Sequence, residues 1–379
     1  MKTTCDIWRD VWMEIDTEAL KHNYMEVRRA VGKDTKICAV LKAQCYGMDG
    51  AKVAAVLDDA DSYAVAVLSE ALEVREVTPD KEILVLGYVS PEGFETAIEN
   101  DIILTVYLPE VVEKLNAAAE KMGKKAKVHV KVNSGMNRIG VLPTEESADN
   151  VAKWMSLPNI EVTGIFTHLA TADETDKINT RMQMGRLDAF LDMLRARNLT
   201  IPTVHVANSP TVCDMPEYYR DMVRPGVLFT GYYSSDEVSR DRIRLKLCVK
   251  LKARLGNIMP VKAGEGVGYG FTDYLERDSV IGLLPIGFSD GFTRSFYHRF
   301  YVTIRGYRCP LVGNICMDHS MIDITDLPDP VLGEEIVIYG DGTDGPDGAM
   351  NIAEVAELRG TIVDEVLTNI AARVPRRFV

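Results

Sequence analysis

Eight short apolar runs, each followed by a longer amphipathic stretch, constrain the fold of this 379-residue chain more than any other feature. Most runs are rich in β-branched residues and apolar on both faces, which is typical of parallel strands buried on each side. The stretches between them have helical patterns; in PEVVEKLNAAAEKMG, Pro109 stands near the predicted start and Gly123 just past the predicted end. The runs are ICAVL (37–41), YAVAVL (63–68), EILVLG (82–87), IILTVY (102–107), KVHVKV (127–132), VTGIFT (162–167), TVHVA (203–207) and DMVRPGVLF (221–229).

Eight strands that alternate with helices predict a (β/α)8 barrel. The alternative, an open doubly wound sheet, would carry a GxGxxG turn after an early strand, and the sequence has none there. From about residue 245 the pattern changes to closely spaced strands with Gly-rich turns, followed by two helical patterns. We therefore predict an α/β chain with a barrel over residues 1–245 and a mainly β domain over residues 246–379. The first residues are candidates for packing on the β domain.

Composition narrows the classes of partner. The formal net charge of −13 argues against nucleic acid and against an anionic membrane surface. No apolar run approaches the roughly 18 residues of a membrane-spanning helix. The N-terminal MKTTCDIWRDVW lacks the apolar core of a signal peptide, and seven cysteines, an odd number, favour a reducing compartment. These features predict a cytoplasmic globular protein, an enzyme, with no nucleic-acid or membrane partner.

Polar residues gather at the predicted carboxyl ends of the barrel strands, where barrels of this type carry their catalytic groups. They include no carboxylate pair and no Cys/His set with zinc spacing, so we predict no metal. Each residue alone has a plainer interpretation: a strand-end lysine is usually a surface charge, and Asn208–Ser209 favours a helix cap. The set consists of Lys42, Tyr46, Gly47, Lys131, Arg138, His168, Asn208, Ser209, Arg224, Pro225 and Gly226.

A lysine at the rim of a barrel, with an Arg and a Gly on the last strand, suggests a phosphorylated cofactor held as a Schiff base. Barrels commonly bind phosphate through backbone N–H groups after strands seven and eight, here beside Ser209 and Gly226. Pyridoxal 5'-phosphate meets both requirements. The segment GEGVGYG lacks the GK[ST] ending of a P-loop, so it is only a weak candidate for a phosphate loop.

Several motifs make the sequence resemble the alanine racemase family over essentially the whole chain, from WMEIDTEALKHNY to ARVPRR. The resemblance implies a (β/α)8 barrel joined to a C-terminal β domain, pyridoxal 5'-phosphate as cofactor, alanine as substrate and a homodimer with shared active sites. The motifs are AVLKAQCYG, KVNSGMNRIG, THLATADE, HVANS, RPGVLFTGY, GEGVGYG and GNICMDHSMIDIT.

The same resemblance implies roles for single residues. Lys42 would carry the cofactor and act as the base on one face of the substrate, and Tyr269 would act on the other. Arg224 would face the pyridine nitrogen, where a cation that keeps its proton restrains transamination and decarboxylation. Tyr269 and Met317 would reach the pocket from the partner subunit. The further candidates are Tyr46, Ser209, Gly226 and Val227 at the phosphate, Asn208 among the cofactor ligands, His168 against the ring, Arg138 at the phenolic oxygen and the substrate, and Lys131 as a carbamylated lysine.

Departures from the family pattern bear on the substrate. The usual YGHG reads YGMDG, Phe288 replaces a tyrosine in PIGFSDG, and Asn133 replaces an aspartate beside Lys131. Ala372 stands where a tyrosine normally precedes RVPR, and an aromatic side chain buries about 150–250 Å². We expect a wider pocket that accepts serine as well as alanine, unless a neighbouring side chain fills the space and leaves alanine preferred.

Two other functions stay open. A decarboxylase of a basic amino acid with the same fold would normally place an acid, not Arg224, at the ring nitrogen. A non-catalytic barrel that binds pyridoxal phosphate would lack the second domain that carries Tyr269.

Overall fold

The computed structural model describes residues 8–379. Residues 1–7 lie outside the described residues. They are part of the N-terminal segment in which the sequence predicts no signal peptide. The chain divides into two units. The barrel unit consists of Lys21–Cys45 and Asp49–Lys246, and the sheet unit consists of Tyr46–Met48, Leu247–Val379 and the described residues up to Leu20.

The barrel unit is built on a closed barrel of eight parallel strands. The predicted (β/α)8 fold is confirmed, and each of the eight apolar runs contributes one strand. The barrel closes where Lys36 and Ile37 of the first barrel strand pair with Met222 and Val223 of the last. Strand β1 (Val11–Ile15) belongs to the sheet unit, and the barrel strands are β2 (Lys36–Val40), β3 (Ser62–Val65), β4 (Glu82–Val85), β5 (Ile102–Val106), β6 (Ala126–Lys131), β7 (Ile160–Phe166), β8 (Thr203–His205) and β9 (Met222–Val223).

The barrel strands are buried on both faces. Cys38 and Val40, two residues apart on β2, point to one side and join a buried cluster with Ala64 and Leu84. The intervening Ala39 is also fully buried. Burial of both faces explains why the strands are continuous apolar runs rather than alternating ones.

Helices follow the barrel strands and cover the barrel. Helix α6 begins at Pro109, and Gly123 follows its last residue with φ +61°, so both sequence signals for its ends are confirmed. Helix α7 is capped by Thr144, whose hydroxyl accepts the N–H of Ser147. The helices of this part of the chain are α1 (Thr17–Val31), α2 (Lys42–Gly47), α3 (Gly50–Val56), α4 (Leu68–Val77), α5 (Phe94–Glu99), α6 (Pro109–Met122), α7 (Glu145–Ser156), α8 (Ile178–Ala196) and α9 (Ser209–Asp214).

The sheet unit contains a nine-stranded sheet in the order β11-β14-β17-β16-β15-β18-β10-β1-β19. Because β1 pairs with β10 on one side and with β19 on the other, both ends of the described chain enter this sheet. Two short helices, α10 (Ile352–Arg359) and α11 (Val363–Thr368), match the predicted C-terminal helices. The remaining strands are β10 (Val249–Arg254), β11 (Ile258–Val261), β12 (Gly266–Val267), β13 (Asp273–Tyr274), β14 (Ser279–Leu284), β15 (Tyr301–Ile304), β16 (Tyr307–Val312), β17 (Ser320–Asp323), β18 (Glu335–Tyr339) and β19 (Arg376–Phe378).

Across residues 8–379, none of the helices has the combination of length and apolar character needed to cross a membrane.

Candidate active site

The barrel unit places the predicted polar residues at one rim. Lys42 lies two residues after β2, Lys131 ends β6, and His168 lies two residues after β7. Ser209 begins α9 after β8, and Arg224 follows β9. Because the eight strands are parallel and closed into a barrel, their carboxyl ends meet at the same rim.

Lys42 begins a left-handed helical turn. The next four residues, Ala43 to Tyr46, all have φ between +50° and +55°, and Gly47 has φ +85°. For residues other than glycine this conformation costs roughly 1–2 kcal/mol each, so it persists only where contacts hold it. The sequence does not predict this turn, because Ala, Gln, Cys and Tyr give no signal for positive φ.

Contacts hold the turn at both ends. The backbone N–H of Gln44 donates to Glu70 Oε1 at 3.1 Å, and its side-chain amide donates to Glu73 at 2.6 Å. At the other end, in the sheet unit, Arg376 Nε donates to the carbonyl of Gly47 at 2.8 Å. A Cβ on Gly47 would lie 2.6 Å from the Leu367 carbonyl oxygen, so this position requires glycine.

Asp49, in the YGMDG departure, has a structural role. Its carboxylate accepts the backbone N–H of Lys52 at 3.2 Å and forms an ion pair with the Lys52 ammonium group at 3.0 Å. It therefore caps the N-terminus of α3.

Arg224 is buried at the rim, and burial lowers its pKa to about 10, so it remains protonated at neutral pH. Its Nη2 donates to the carbonyls of Thr167 at 2.9 Å and Val206 at 3.2 Å, and its Nη1 donates to His205 at 2.9 Å. These bonds use three of the five guanidinium N–H groups, and the other two have no partner within residues 8–379. A buried cation with two donors to spare suits an acceptor atom of a ligand.

Two histidines adjoin Arg224, and the sequence did not predict either as part of the site. His205 stacks on Phe166 with ring centroids 4.7 Å apart, and its Nε2 lies 2.9 Å from Nδ1 of His129. Burial and the charge of Arg224 lower the pKa of both, that of His129 to about 3. The only available signal was the alternation in KVHVKV and TVHVA, which places each histidine on the strand face opposite to the flanking valines.

Lys131 is almost fully buried, and its Nζ lies 4.8 Å from the centroid of the Phe166 ring. Burial lowers its pKa well below the ordinary value, and the charges of Arg224 and Arg138 lower it further. Arg138 lies in the exposed loop that follows β6. In that loop Asn133 Oδ1 accepts the backbone N–H groups of Gly135 and Asn137. An amide oxygen thus supplies the acceptor that an aspartate would also offer.

Cations dominate the electrostatics of the rim. Burial is the largest cause of the lowered pKa of His168, and the charges of four cations lower it further. Such a donor set fits an anionic ligand, so the rim suits the phosphate and phenolate groups of pyridoxal phosphate and a substrate carboxylate. The four cations are Arg224, Lys131, Arg138 and Lys42.

Asn208 caps a helix, as its plainer interpretation predicts. Its Oδ1 accepts the backbone N–H of Thr211 at 3.4 Å and the Thr211 hydroxyl at 2.7 Å. The adjacent Ser209 Oγ accepts the backbone N–H of Gly226 at 3.0 Å. The hydrogen bond brings the segments after β8 and β9 together, next to the buried Val227 that opens a 3₁₀ turn.

The remaining predicted site residues lie in the sheet unit, and their side chains are exposed. Tyr269 is 74% exposed, Met317 58% and Phe288 43%. Ala372 is also exposed and lies in a turn before β19. No cluster of His, Cys, Asp and Glu within residues 8–379 has an arrangement that could hold a metal ion.

Comparison with known proteins gives the same family for both halves of the chain. The family model of the alanine racemase N-terminal domain matches residues 15–234, and that of the C-terminal domain matches residues 248–378. The chain is 40% identical to an alanine racemase of Methanococcus maripaludis, covering 97% of this chain and 98% of that protein. It is 39% identical to alanine racemase 1 of Clostridium acetobutylicum, covering 98% and 96%.

Solved structures agree. An alanine racemase of Clostridium difficile 630 superposes with a TM-score of 0.94 at 38% identity, covering 98% of this chain and 96% of that one. The alanine racemase of Bacillus anthracis with bound L-Ala-P superposes with a TM-score of 0.89 at 32% identity, with coverage of 98% and 96%. Both similarities extend over the barrel unit and the sheet unit.

Proposed function

Because the chain belongs to the alanine racemase family, an isomerase family that depends on pyridoxal 5'-phosphate, we propose that it interconverts L- and D-alanine with Lys42 and Tyr269 as two bases. The observation that carries the proposal is the cationic rim, with Lys42 on a fixed turn and Arg224 buried behind it. An amino-acid substrate brings a carboxylate to this rim, and the rim has cations to receive it.

Each of the rim residues would contact a different part of the cofactor. Lys42 would hold it covalently, Ser209, Gly226, Val227 and Tyr46 would bind its phosphate, and Asn208 supports that loop as the cap of α9. His168 would pack against its ring, and Arg138 would bind its phenolic oxygen. When bound, the cofactor withdraws electrons from the substrate Cα and makes the Cα proton acidic.

Arg224 favours racemisation over the decarboxylase alternative. Its guanidinium keeps its proton at neutral pH and would therefore donate a hydrogen bond to the ring nitrogen without transferring a proton. A ring nitrogen without a proton would withdraw electrons less strongly, and other reactions at the same carbon would be restrained. The fixed bonds of Arg224 to Thr167 and His205 hold it in place for this role.

Two bases are needed because a proton leaves one face of Cα and another arrives at the opposite face. The amine of Lys42 would serve one face. Tyr269 serves the other, and a phenol of pKa about 10 requires a neighbouring cation or hydrogen-bond chain to act as a base. We place Tyr269 and Met317 in the site of the partner subunit, so the active enzyme is a homodimer. The lack of disulfides among the six described cysteines favours a cytoplasmic location.

The specificity extends to serine. Ala372 offers only a methyl group, and its neighbours are anchored: Ala371 N–H donates to the Asp290 carbonyl at 3.1 Å, and Arg373 pairs with the Asp290 carboxylate at 2.6 Å. Because the backbone on both sides of Ala372 is held in place, it does not shift to fill the space that a tyrosine ring would occupy. A substrate with a hydroxymethyl group therefore has room.

One experiment tests the proposal and both alternatives. The purified protein with pyridoxal phosphate is incubated with each L-amino acid, and the D-isomer and carbon dioxide are measured. We expect D-alanine and D-serine and no carbon dioxide. Carbon dioxide from a basic amino acid would identify a decarboxylase, and the absence of both products would identify a non-catalytic carrier.

A further inference from the structure

The backbone of the turn that carries Tyr269 is clamped from the neighbouring segment of the sheet unit. We infer that Asn314 is a positioning residue for the phenol of Tyr269. The inference rests on the proposed role of Tyr269 as a base and explains how an exposed side chain is aimed.

The turn joins β12 to β13 and has an irregular backbone. Gly268, Gly270 and Phe271 have φ of +70°, +77° and +44°, so three of its residues are left-handed. The Tyr269 side chain is 74% exposed and gains little orientation from packing. The position of its hydroxyl therefore depends on the backbone at residue 269.

Asn314 fixes that backbone directly. Its Nδ2 donates to the carbonyl oxygen of Tyr269 at 2.9 Å, and its Oδ1 accepts from Arg294 Nη2 at 3.1 Å. Arg294 therefore holds the side-chain amide of Asn314 in place, and this amide in turn holds the peptide of Tyr269. An error of about 1 Å in the position of a catalytic group is enough to cost about 100-fold in rate.

A second set of hydrogen bonds, made by Asp273, holds the C-terminal end of the turn. The Asp273 carboxylate accepts the backbone N–H of Gly313, the hydroxyl of Tyr297 at 2.8 Å and Nε2 of His298 at 2.9 Å. Gly313 also packs closely, because a Cβ there would lie 2.8 Å from the Val267 carbonyl oxygen. The turn is therefore attached to the segment 313–314 before and after Tyr269.

The test is Asn314→Asp, which keeps the shape and the acceptor for Arg294 but removes the donor to Tyr269. Asn257→Asp, an exposed position in the same unit, is the matched control. For Asn314→Asp we expect kcat to fall about 10- to 100-fold, with the visible absorbance of the bound cofactor unchanged. The primary isotope effect of α-deuterated alanine should rise only in the direction in which Tyr269 removes the proton.

A purely structural role for Asn314 would lower the thermal midpoint and leave both isotope effects unchanged, and that result overturns the inference. A kcat of Asn314→Asp equal to that of the wild type also overturns the inference. Tyr269→Phe separates the two hypotheses. If it is inactive and Asn314→Asp is normal, only the positioning role is wrong; if it racemises like wild type, the proposed second base is wrong. In the double variant Asn314→Asp should add no loss to that of Tyr269→Phe.

Discussion

The guanidinium of Arg224 donates from Nη1 to Nδ1 of His205 across 2.9 Å, and this bond sets the protonation of two histidines. Since an arginine only donates, Nδ1 of His205 carries no proton, and the neutral ring then has its proton on Nε2. That Nε2–H donates to Nδ1 of His129 at 2.9 Å. Arg224, His205 and His129 therefore form a row of one cation and two neutral histidines.

The stability of the barrel should fall as the pH falls below about 6.5, the ordinary pKa of an unfolded histidine. Folded His129 has its pKa lowered to about 3, and that of His205 is also lowered. Below pH 6.5 the unfolded state binds more protons, so the free energy of unfolding decreases by about 1.4 kcal/mol per pH unit for each histidine.

Urea unfolding at pH 5 and pH 6 checks this pH dependence. Carboxylates contribute with the same sign, so the variant His205→Asn, which keeps an acceptor for Arg224, provides the comparison. Its free energy of unfolding should change less with pH than that of the wild type, by about one proton. Equal slopes would contradict the neutral state of His205.

Gly164→Ala should destabilise the barrel by about 1–3 kcal/mol, the usual cost of overpacking. A Cβ at this position would lie 2.6 Å from Nε2 of His129 and 2.7 Å from two carbons of its ring. Gly185→Ala is the control, because its Cβ would have no atom within 4 Å and a helical Gly→Ala change stabilises by up to about 1 kcal/mol. The double variant Gly164→Ala/His129→Ala should be more stable than the sum of its parts, as measured by urea unfolding.

Lys42→Ala and Tyr269→Phe should separate cofactor binding from proton transfer. Lys42→Ala loses the covalent link and with it the visible absorbance, whereas Tyr269→Phe keeps the absorbance and loses turnover, because only the hydroxyl is removed. Absorbance spectra and a racemisation assay on both proteins measure this. Retained racemisation in Tyr269→Phe would refute the two-base assignment.

Ala372→Tyr should shift the specificity towards alanine. The added ring narrows the proposed pocket, so kcat/KM for L-serine should fall more than kcat/KM for L-alanine, by about 10-fold, or roughly 1.4 kcal/mol. Absence of serine turnover in the wild type, or an unchanged ratio in the variant, would show that Ala372 does not set the specificity.

Lys131 should react with carbon dioxide. Its lowered pKa favours the neutral amine, whose nitrogen lone pair forms a bond to the carbon of carbon dioxide while the amine releases a proton. The product carries a negative charge beside Arg224 and Arg138. ¹³C NMR of protein equilibrated with labelled bicarbonate should show one carbamate signal that is absent in Lys131→Met; a wild-type spectrum without the signal would count against the modification.

The sequence was sufficient to predict the barrel because its strands must be apolar on both faces, and such runs are unmistakable at eightfold repetition. The rim residues could be predicted because each lies at the end of a barrel strand or in the segment that follows it. His129 and His205 were missed, since a polar residue on an interior face looks like an exception until its partner is known, and they lie 76 positions apart. The left-handed turn was missed because its φ values are imposed by Glu70 and Arg376 rather than by local sequence.

That turn crosses from one unit to the other: Lys42 to Cys45 belong to the barrel unit, and Tyr46 and Gly47 to the sheet unit. Its conformation depends on anchors in both, Glu70 at one end and Arg376 at the other. Whichever unit unfolds first releases the lysine. Bleaching of the enzyme on heating would then report the unfolding of the weaker of the two units rather than that of the whole chain.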